Sequence, residues 1–139
     1  MTLVEQLMRD EGFVGHVYSD SIGLWTIGFG RLVDVRRGGG ISREEGEILL
    51  RNDVARTTHS LEAAIPWLDT LDDARRGVLI NMAFNLGVAG LLGFRKFMAA
   101  MEAGDFEAAA VEMMDSRWAV QVGARAERLR DQVITGEWV

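Results

Sequence analysis

The spacing of apolar residues changes at Gly12, and this change restricts the possible folds more than any other feature of the sequence. Before Gly12, four apolar residues recur at helical spacing: Leu3, Val4, Leu7 and Met8. From residue 17 to residue 32 the period is two, and three apolar residues alternate with three small ones: Trp25, Ile27 and Phe29 with Thr26, Gly28 and Gly30. The pattern predicts a short helix that ends at Gly12, followed by a β-hairpin or meander with one apolar and one open face.

The remainder of the chain carries the signals of helices. After a glycine loop, Gly38-Gly39-Gly40, a capping box at Ser42-Arg43-Glu44-Glu45 predicts a long helix through about Arg56. Apolar spacing, aspartate caps and terminal glycines predict further helices near residues 61–64, 74–86, 94–103, 106–114 and 124–135.

These elements predict an α+β fold in a single domain that covers residues 1–139. A small N-terminal lobe, the β-hairpin or meander with the helix after it, takes about residues 12–56. A mostly helical C-terminal lobe takes about residues 57–139 together with the N-terminal helix. We expect a cleft at the join of the two lobes, where ligand sites commonly occur.

Composition excludes several classes of function. The net charge of −6 argues against nucleic acid as the main partner, because phosphate binding requires a strongly positive surface. The chain has no cysteine for a disulfide or a thiolate metal site, and neither His16 nor His59 has a neighbour at metal-ligand spacing. No apolar run is long enough for a membrane span. We therefore expect no cofactor, no metal ion and no membrane insertion, and we expect a monomer.

Two carboxylates and a hydroxyl stand where the predicted helix meets the β-segment. Glu11 continues the row of Leu3 and Leu7, so it is predicted at the last helical turn on or beside the buried face. Asp20 precedes the predicted turn, and Thr26 lies in the strand beyond it. Glycoside hydrolysis needs one protonated and one ionised carboxyl group in different settings. The arrangement therefore suggests a glycosidase, although a structural glutamate would be the better interpretation of Glu11 alone.

Separate blocks of the sequence resemble the bacteriophage-type lysozymes of glycoside hydrolase family 24. The resemblance covers nearly the whole chain, with the blocks in the same order. They are Asp10-Glu11-Gly12, Tyr18-Ser19-Asp20, Trp25-Thr26-Ile27-Gly28-Phe29-Gly30, the run from Arg75 to Gly87, Gly93-Phe94, Ser116-Arg117-Trp118, Arg125-Ala126-Glu127-Arg128 and Thr135-Gly136-Glu137-Trp138.

The resemblance implies a peptidoglycan hydrolase that cleaves the β-1,4 bond between N-acetylmuramic acid and N-acetylglucosamine. By position, Glu11 matches the general acid, and Asp20 matches the carboxylate that activates the attacking water and stabilises the oxocarbenium-like transition state. Thr26 matches the residue that holds this water. Together they imply inverting hydrolysis, with the two carboxyl groups ~6.5–9.5 Å apart.

The resemblance also implies residues that contact the sugar. Leu32 and Phe84 match positions that line the cleft, and Asn85 stands where the family has a glutamine. Two further family cleft positions, a serine and an asparagine, are occupied by Phe97 and Glu112. Substrate contacts in the helical lobe are therefore expected to differ from those of the family.

Two arginines of the Arg125-Ala126-Glu127-Arg128 block match family positions that support the acid. The resemblance implies that Arg125 reaches Glu11 and that Arg128 reaches Asp10. We expect Arg125 to orient the acid.

One supporting position differs from the family. The family has a histidine after the Gly-x-Gly that pairs with an aspartate on the next helix, and this chain has Arg31 and Asp53 there. A charge-assisted hydrogen bond between Arg31 and Asp53 is therefore predicted. An arginine would keep the ion pair without the pH response of a histidine.

Two other functions remain open at this point. A lytic transglycosylase cleaves the same bond with one acid and no water, and a non-catalytic lysozyme-like module would only bind the wall. The presence of Asp20 and Thr26 beside Glu11 favours hydrolysis. The N-terminus lacks the pattern of a signal peptide. We therefore expect synthesis in the host cytoplasm, release through a holin pore and action on the wall in the periplasm during bacterial lysis.

Overall fold

A computed structural model describes residues 2–33 and 39–139, so the predicted glycine loop lies outside the described residues at Gly38. The chain forms two compact units, Met1–Leu49 and Leu50–Val139. The N-terminal helix belongs to the same unit as the strands, whereas the sequence analysis assigned this helix to the helical lobe and drew the boundary near residue 56.

The first unit begins with helix α1, Leu3–Glu11. A capping box starts it: the Thr2 hydroxyl accepts a hydrogen bond from the Glu5 N–H at 3.2 Å, and the Glu5 carboxylate accepts one from the Thr2 N–H at 2.6 Å. Gly12 ends the helix with a φ of 69°, a backbone conformation that glycine adopts without strain. The predicted helix and its glycine stop are confirmed.

Three antiparallel strands follow in the order β1 (Val14–Ser19), β2 (Trp25–Gly28) and β3 (Arg31–Leu32). Tyr18 pairs with Thr26, which in turn pairs with Leu32 on the other side. An irregularity shifts the register between Val14 and Tyr18. The predicted meander is therefore confirmed, with tight turns at Gly23 and at Gly30. The predicted faces are wrong: Thr26, expected on the open face, is buried, whereas Trp25 and Phe29 of the expected apolar face are exposed, because burial depends on what packs against the sheet.

Helix α2 covers Arg43–Ala64 and extends eight residues beyond the predicted end. Its predicted capping box is confirmed, because the Ser42 hydroxyl accepts from the Glu45 N–H at 3.1 Å and the Glu45 carboxylate accepts from the Ser42 N–H at 3.0 Å. The remaining helices are a 3-10 helix at Leu68–Thr70, α3 (Asp73–Leu92), α4 (Arg95–Ala103), α5 (Phe106–Met114), α6 (Arg117–Val122) and α7 (Ala124–Thr135).

Helix α3 is interrupted at Gly87, the residue at which the sequence predicted its end. Gly87 has a φ of 77° and a ψ of 160°, outside the helical region, but the chain resumes a helical path after it and continues to Leu92. The glycine therefore marks a kink within α3, and the helix has two segments.

The core of the second unit is built from the inward faces of its helices. Its largest fully buried side chains are Phe97, Leu61, Leu68, Leu79, Met82, Leu91, Met101, Met113, Val78 and Val133. Trp118 packs edge to face against Phe94, with ring centroids 6.1 Å apart. The sheet, confined to the first unit, and the helices of the second together confirm the predicted lysozyme-like α+β fold class.

None of the described helices alone has the length and apolar composition of a membrane span, whereas Asp73–Leu92 and Arg95–Ala103 meet both criteria as a pair bent by 102°.

Candidate active site

The candidate acid, Glu11, is the last residue of α1 and is exposed. The prediction that it lies on or beside a buried helix face is wrong, because Leu7 and Met8 of the same helix are each 46% exposed. Spacing alone identified the apolar row correctly but not its burial, which depends on what packs against the helix.

The Glu11 side chain instead lies against the turn between β2 and β3. A Cβ atom built on Gly30 would stand 2.5 Å from Oε2 and 2.9 Å from Cδ of Glu11. Only a glycine leaves room for this carboxyl group, and Gly30 also has a φ of 71°. Contact between Glu11 and Gly30 joins the end of α1 to the sheet, and the sequence analysis did not anticipate it.

Asp20 is half-buried at the start of the turn between β1 and β2. Its Oδ1 accepts hydrogen bonds from the N–H groups of Ile22 at 3.0 Å and Leu24 at 2.8 Å. An aspartate that binds the N–H two residues later is the usual Asx turn, so this geometry was available from the sequence. Within the described part of the chain, Oδ2 receives no hydrogen bond and is available to a ligand.

Thr26 lies in β2 and is 3% exposed. Its hydroxyl donates a hydrogen bond to the carbonyl oxygen of Leu24 at 3.1 Å. That same carbonyl accepts the Asp20 N–H at 2.8 Å, while the Leu24 N–H donates to Asp20 Oδ1. The backbone of Leu24 thus connects Asp20 and Thr26, and the structure brings these two predicted site residues together on one hairpin.

Arg31 and Asp53 each have an ion-pair partner within their own unit. Arg31 contacts Glu45 Oε2 at 2.7 Å and donates to the Gly40 carbonyl at 2.9 Å. Asp53 pairs with Arg56, three residues later on α2. Neither partner was predicted from the sequence, in which Glu45 had only a role in the capping box and Arg56 only marked the expected end of the helix.

The Glu45 carboxylate serves both this ion pair and the start of α2. The Ser42 backbone N–H and hydroxyl, with a smaller contribution from the Arg31 guanidinium, hold the pKa of Glu45 below its ordinary value. Glu45 is therefore ionised at neutral pH, and the strand that ends at Leu32 is tied to the following helix.

The predicted sugar-contacting residues are divided between the units. Leu32 is half-buried in β3 and borders a hollow of about 260 Å³ in the first unit. Phe84 and Asn85 are exposed on α3, shortly before the kink at Gly87. The side-chain oxygen of Asn85 accepts the indole N–H of Trp118 at 2.9 Å. This bond fixes the amide plane and leaves its NH₂ group for other partners.

The positions that differ from the family have different surroundings. Phe97 is 1% exposed and belongs to the core of the second unit. Glu112 is half-buried and borders an open hollow of about 390 Å³ together with Arg95, Lys96 and Asp115. A polar contact from position 97 is therefore replaced by packing, whereas position 112 presents a charge.

One of the two supporting arginines, Arg125, has a partner that the resemblance did not name. Arg125 donates to the side-chain oxygen of Asn81 from Nε at 3.0 Å and from Nη2 at 2.7 Å. Asp10 pairs with Arg9 at 2.8 Å within the first unit, and Arg128 is exposed on α7. Among the described residues, no three histidine, cysteine, aspartate or glutamate side chains converge as a metal site would require.

Known proteins resemble the chain over most of its length. The central spike protein Gp5 of Enterobacteria phage T4 is 34% identical over 98% of this chain, which spans 28% of that protein. The probable T4-type lysozyme 1 of Dictyostelium discoideum is 29% identical, and the match covers 97% of this chain and 95% of that protein. An endolysin of Acyrthosiphon pisum secondary endosymbiont phage 1 is 28% identical over 78% of this chain and 72% of its own length.

The sequence profile of the Phage lysozyme family matches residues 8–132. This range contains the three candidate catalytic residues, Glu11, Asp20 and Thr26, as well as α2 to α6 and most of α7. The chain therefore belongs to the phage lysozyme family and is a lysozyme-type peptidoglycan hydrolase.

Proposed function

We propose that this chain cleaves the β-1,4 bond between N-acetylmuramic acid and N-acetylglucosamine by inverting general acid/base hydrolysis. The observation that carries the proposal is the shared binding of Asp20 and Thr26 to the backbone of Leu24. This network supports a carboxylate and a hydroxyl that act on the same water molecule.

The acid step belongs to Glu11. Its exposed carboxyl group at the end of α1 is accessible to a bound glycan, and it would protonate the bridging oxygen as the bond from C1 to that oxygen breaks. The electron pair of the broken bond leaves with the oxygen, which takes the proton of Glu11. C1 acquires oxocarbenium character, which the negative charge of Asp20 stabilises.

The water step belongs to Asp20 and Thr26. Because Oδ1 of Asp20 is engaged by two N–H groups, Oδ2 is the oxygen that accepts a proton from water. The hydroxyl proton of Thr26 is directed to the Leu24 carbonyl, so the Thr26 oxygen is presented as an acceptor. A water that donates one hydrogen to each residue directs its lone pair toward C1 and attacks from the face opposite the leaving group.

The test of this function uses purified cell walls and the variant Glu11→Gln. The substitution keeps the size of the side chain and removes its proton donor, so wall lysis should fall by roughly 10²–10⁴-fold. Loss of turbidity is the measurement, and an unchanged melting temperature is the control for folding. A variant that retained more than a few per cent of the wild-type rate would contradict the role of Glu11.

Product analysis distinguishes the remaining mechanisms. Inverting hydrolysis yields a reducing end whose first-formed anomer is the α form, visible by NMR in fresh product. A 1,6-anhydro end would identify a lytic transglycosylase, and retention would identify a covalent intermediate. If no product is released and the walls stay intact, the chain is a binding module.

The match to an endolysin favours a role in bacterial lysis. In that role, we propose that the wall is reached on its periplasmic side. The match to a central spike protein favours instead a place in a phage particle. Expression in a bacterial host with and without a membrane-permeabilising holin tests the first role. Lysis that requires the holin supports it, and a lack of lysis in both cases opposes it.

A further inference from the structure

Gly30 differs from the neighbouring glycines of the first unit in what surrounds it. Three of the other glycines there with positive φ, at values between 69° and 82°, have open surroundings, since a Cβ atom on them would meet nothing within 4 Å: Gly12, Gly23 and Gly28. A Cβ atom on Gly30 would meet three atoms of Glu11, namely Oε2 at 2.5 Å, Cδ at 2.9 Å and Cγ at 3.4 Å. Backbone conformation alone therefore accounts for glycine at the first three positions, but not at Gly30.

We propose that Gly30 is the positioning residue of the acid: the carboxyl group of Glu11 packs directly against its Cα atom, which carries no side chain. This inference rests on the proposed role of Glu11 in the reaction. Glu11 is exposed at the end of a helix, where a glutamate has three freely rotating side-chain bonds. Contact along Cγ, Cδ and Oε2 restricts all three rotations at once.

This contact matters because proton transfer depends on the orientation of the Glu11 carboxyl group. Reacting groups must meet within a narrow range of distances and angles, and a displacement of about 1 Å can reduce a rate by ~10²-fold. Any side chain at position 30 would occupy the space of the carboxyl group and turn Glu11 away from the sheet. The hairpin of β1 and β2 carries Asp20 and Thr26, so Gly30 keeps the acid in register with the residues that bind the water.

A matched pair of variants separates this role from backbone strain. Gly28 and Gly30 have nearly equal φ values, 70° and 71°, so Gly28→Ala and Gly30→Ala both place a side chain in the positive-φ region. Only Gly30→Ala also introduces an atom into the space of Glu11. We expect Gly30→Ala to lower kcat by ~10²-fold with KM changed little, and Gly28→Ala to lower it by only a few-fold.

A double-mutant cycle tests the contact without any use of activity. Glu11→Ala removes the three atoms that the new Cβ meets, so Gly30→Ala should shift the urea midpoint less in the Glu11→Ala background than in the wild type. The same cycle with Gly28→Ala should be additive. If Gly30→Ala does not fold, the double variant Glu11→Ala/Gly30→Ala should still fold. Failure of both variants to fold would show that the contact with Glu11 is not the cause, and it would overturn the proposal.

The two sets of measurements distinguish the possible failures. Additivity at position 30, or equal losses of kcat in the two glycine variants, would overturn the role of Gly30. Suppose instead that Gly30→Ala and Glu11→Ala are non-additive in stability but Glu11→Gln remains active. The contact between Gly30 and Glu11 would then be confirmed, and the role of Glu11 as the acid would be wrong.

Discussion

At the scale of single residues, the backbone of Leu24 does more for the candidate site than the Leu24 side chain. Its N–H holds Oδ1 of Asp20, and its carbonyl receives both the Asp20 N–H and the Thr26 hydroxyl. Both side chains are therefore oriented by one peptide segment of a tight turn. The network should tolerate a different side chain at position 24, because only the backbone of Leu24 takes part in it. It depends on the side-chain oxygens of Asp20 and Thr26.

Asp20→Asn should preserve this turn and abolish most of the activity. An asparagine oxygen can still accept the N–H bonds of Ile22 and Leu24, so we expect little change in the melting temperature. The neutral amide can neither accept the proton of water nor stabilise a cation, and wall lysis should fall by roughly 10²–10⁴-fold. Substantial lysis by a folded Asp20→Asn protein would exclude Asp20 from the water step.

Two substitutions at Thr26 separate its hydroxyl from its methyl group. Thr26→Ser keeps the hydroxyl that donates to the Leu24 carbonyl and should retain most of the activity. Thr26→Val keeps the shape but loses the hydroxyl in a residue that is 3% exposed, which should cost ~1 kcal/mol of stability and most of the turnover. Equal activities in the two variants would show that the hydroxyl does not bind the attacking water.

At the scale of secondary-structure elements, local signals predicted several helix ends correctly and missed two, because α2 continues beyond Arg56 and α3 beyond Gly87. Gly12 ends α1, Ser42 and Glu45 form the capping box of α2, and Asp105 caps α5 through the Ala108 N–H at 3.2 Å. These signals lie within four residues of what they stabilise. The partners of Arg31 and Arg125 could not be predicted in the same way: Glu45 and Asn81 are 14 and 44 residues distant in sequence and were selected by packing.

Asp53 on α2 is expected to contribute little to the free energy of unfolding. Asp53 pairs with Arg56 across one helical turn, with the two side chains 42% and 73% exposed. Exposed pairs of this kind contribute little, so Asp53→Asn should change the free energy of unfolding by less than ~0.5 kcal/mol. Chemical denaturation measures this, with Arg43→Gln, from the exposed Arg43–Glu47 pair, as the matched control. A loss above ~1 kcal/mol would indicate a buried partner for Asp53.

At the scale of the whole molecule, Arg75 connects distant parts of the second unit. From the start of α3, its Nε donates to the Val133 carbonyl at 2.7 Å and its Nη2 to the Ile134 carbonyl at 2.9 Å. Its Nη1 contacts Asp72 at 2.9 Å, and the guanidinium lies 3.7 Å from the ring centre of Phe106. Carbonyls near the end of α7 are thereby satisfied by a residue about 60 positions earlier.

Asp72 makes this connection sensitive to acid. Burial raises the pKa of Asp72, but the N–H, the guanidinium hydrogen bond and the charge of Arg75 outweigh this effect and leave it below its ordinary value of 3.8. Because the folded-state pKa is lowered, the stabilisation is fully present above about 3.8 and is lost as pH falls through the folded value.

Asp72→Asn should therefore lower stability at neutral pH and much less in acid. Asparagine retains a capping oxygen for the Arg75 N–H, so the loss at pH 7 reflects the charge interaction and should be under ~1 kcal/mol for this partly exposed pair. Urea midpoints of the two proteins should converge as pH falls below 3.8. Asp69→Asn is the control, because its pair with Arg76 is long, at 3.5 Å, and exposed. A constant difference at all pH values would contradict this account.

Much about this protein follows from the sequence by itself, because the deciding interactions are local. Helix starts and stops, the two-residue period of the strands and the turn at Asp20 depend on neighbours a few residues apart. The candidate catalytic residues were named for the same reason, since they stand at the end of a helix, in a turn and in the next strand. Family membership followed from the order of these blocks along the chain.

Tertiary structure decided which atoms these residues meet. The Glu11 carboxyl group packs against Gly30, Arg31 pairs with Glu45, and Arg125 donates to Asn81. Phe97 is buried, whereas Glu11 is exposed. Each of these outcomes depends on the approach of segments that are distant in sequence, and residue spacing carries no information about that approach. Apolar periodicity predicts which face of a helix can be buried, but only packing determines whether it is.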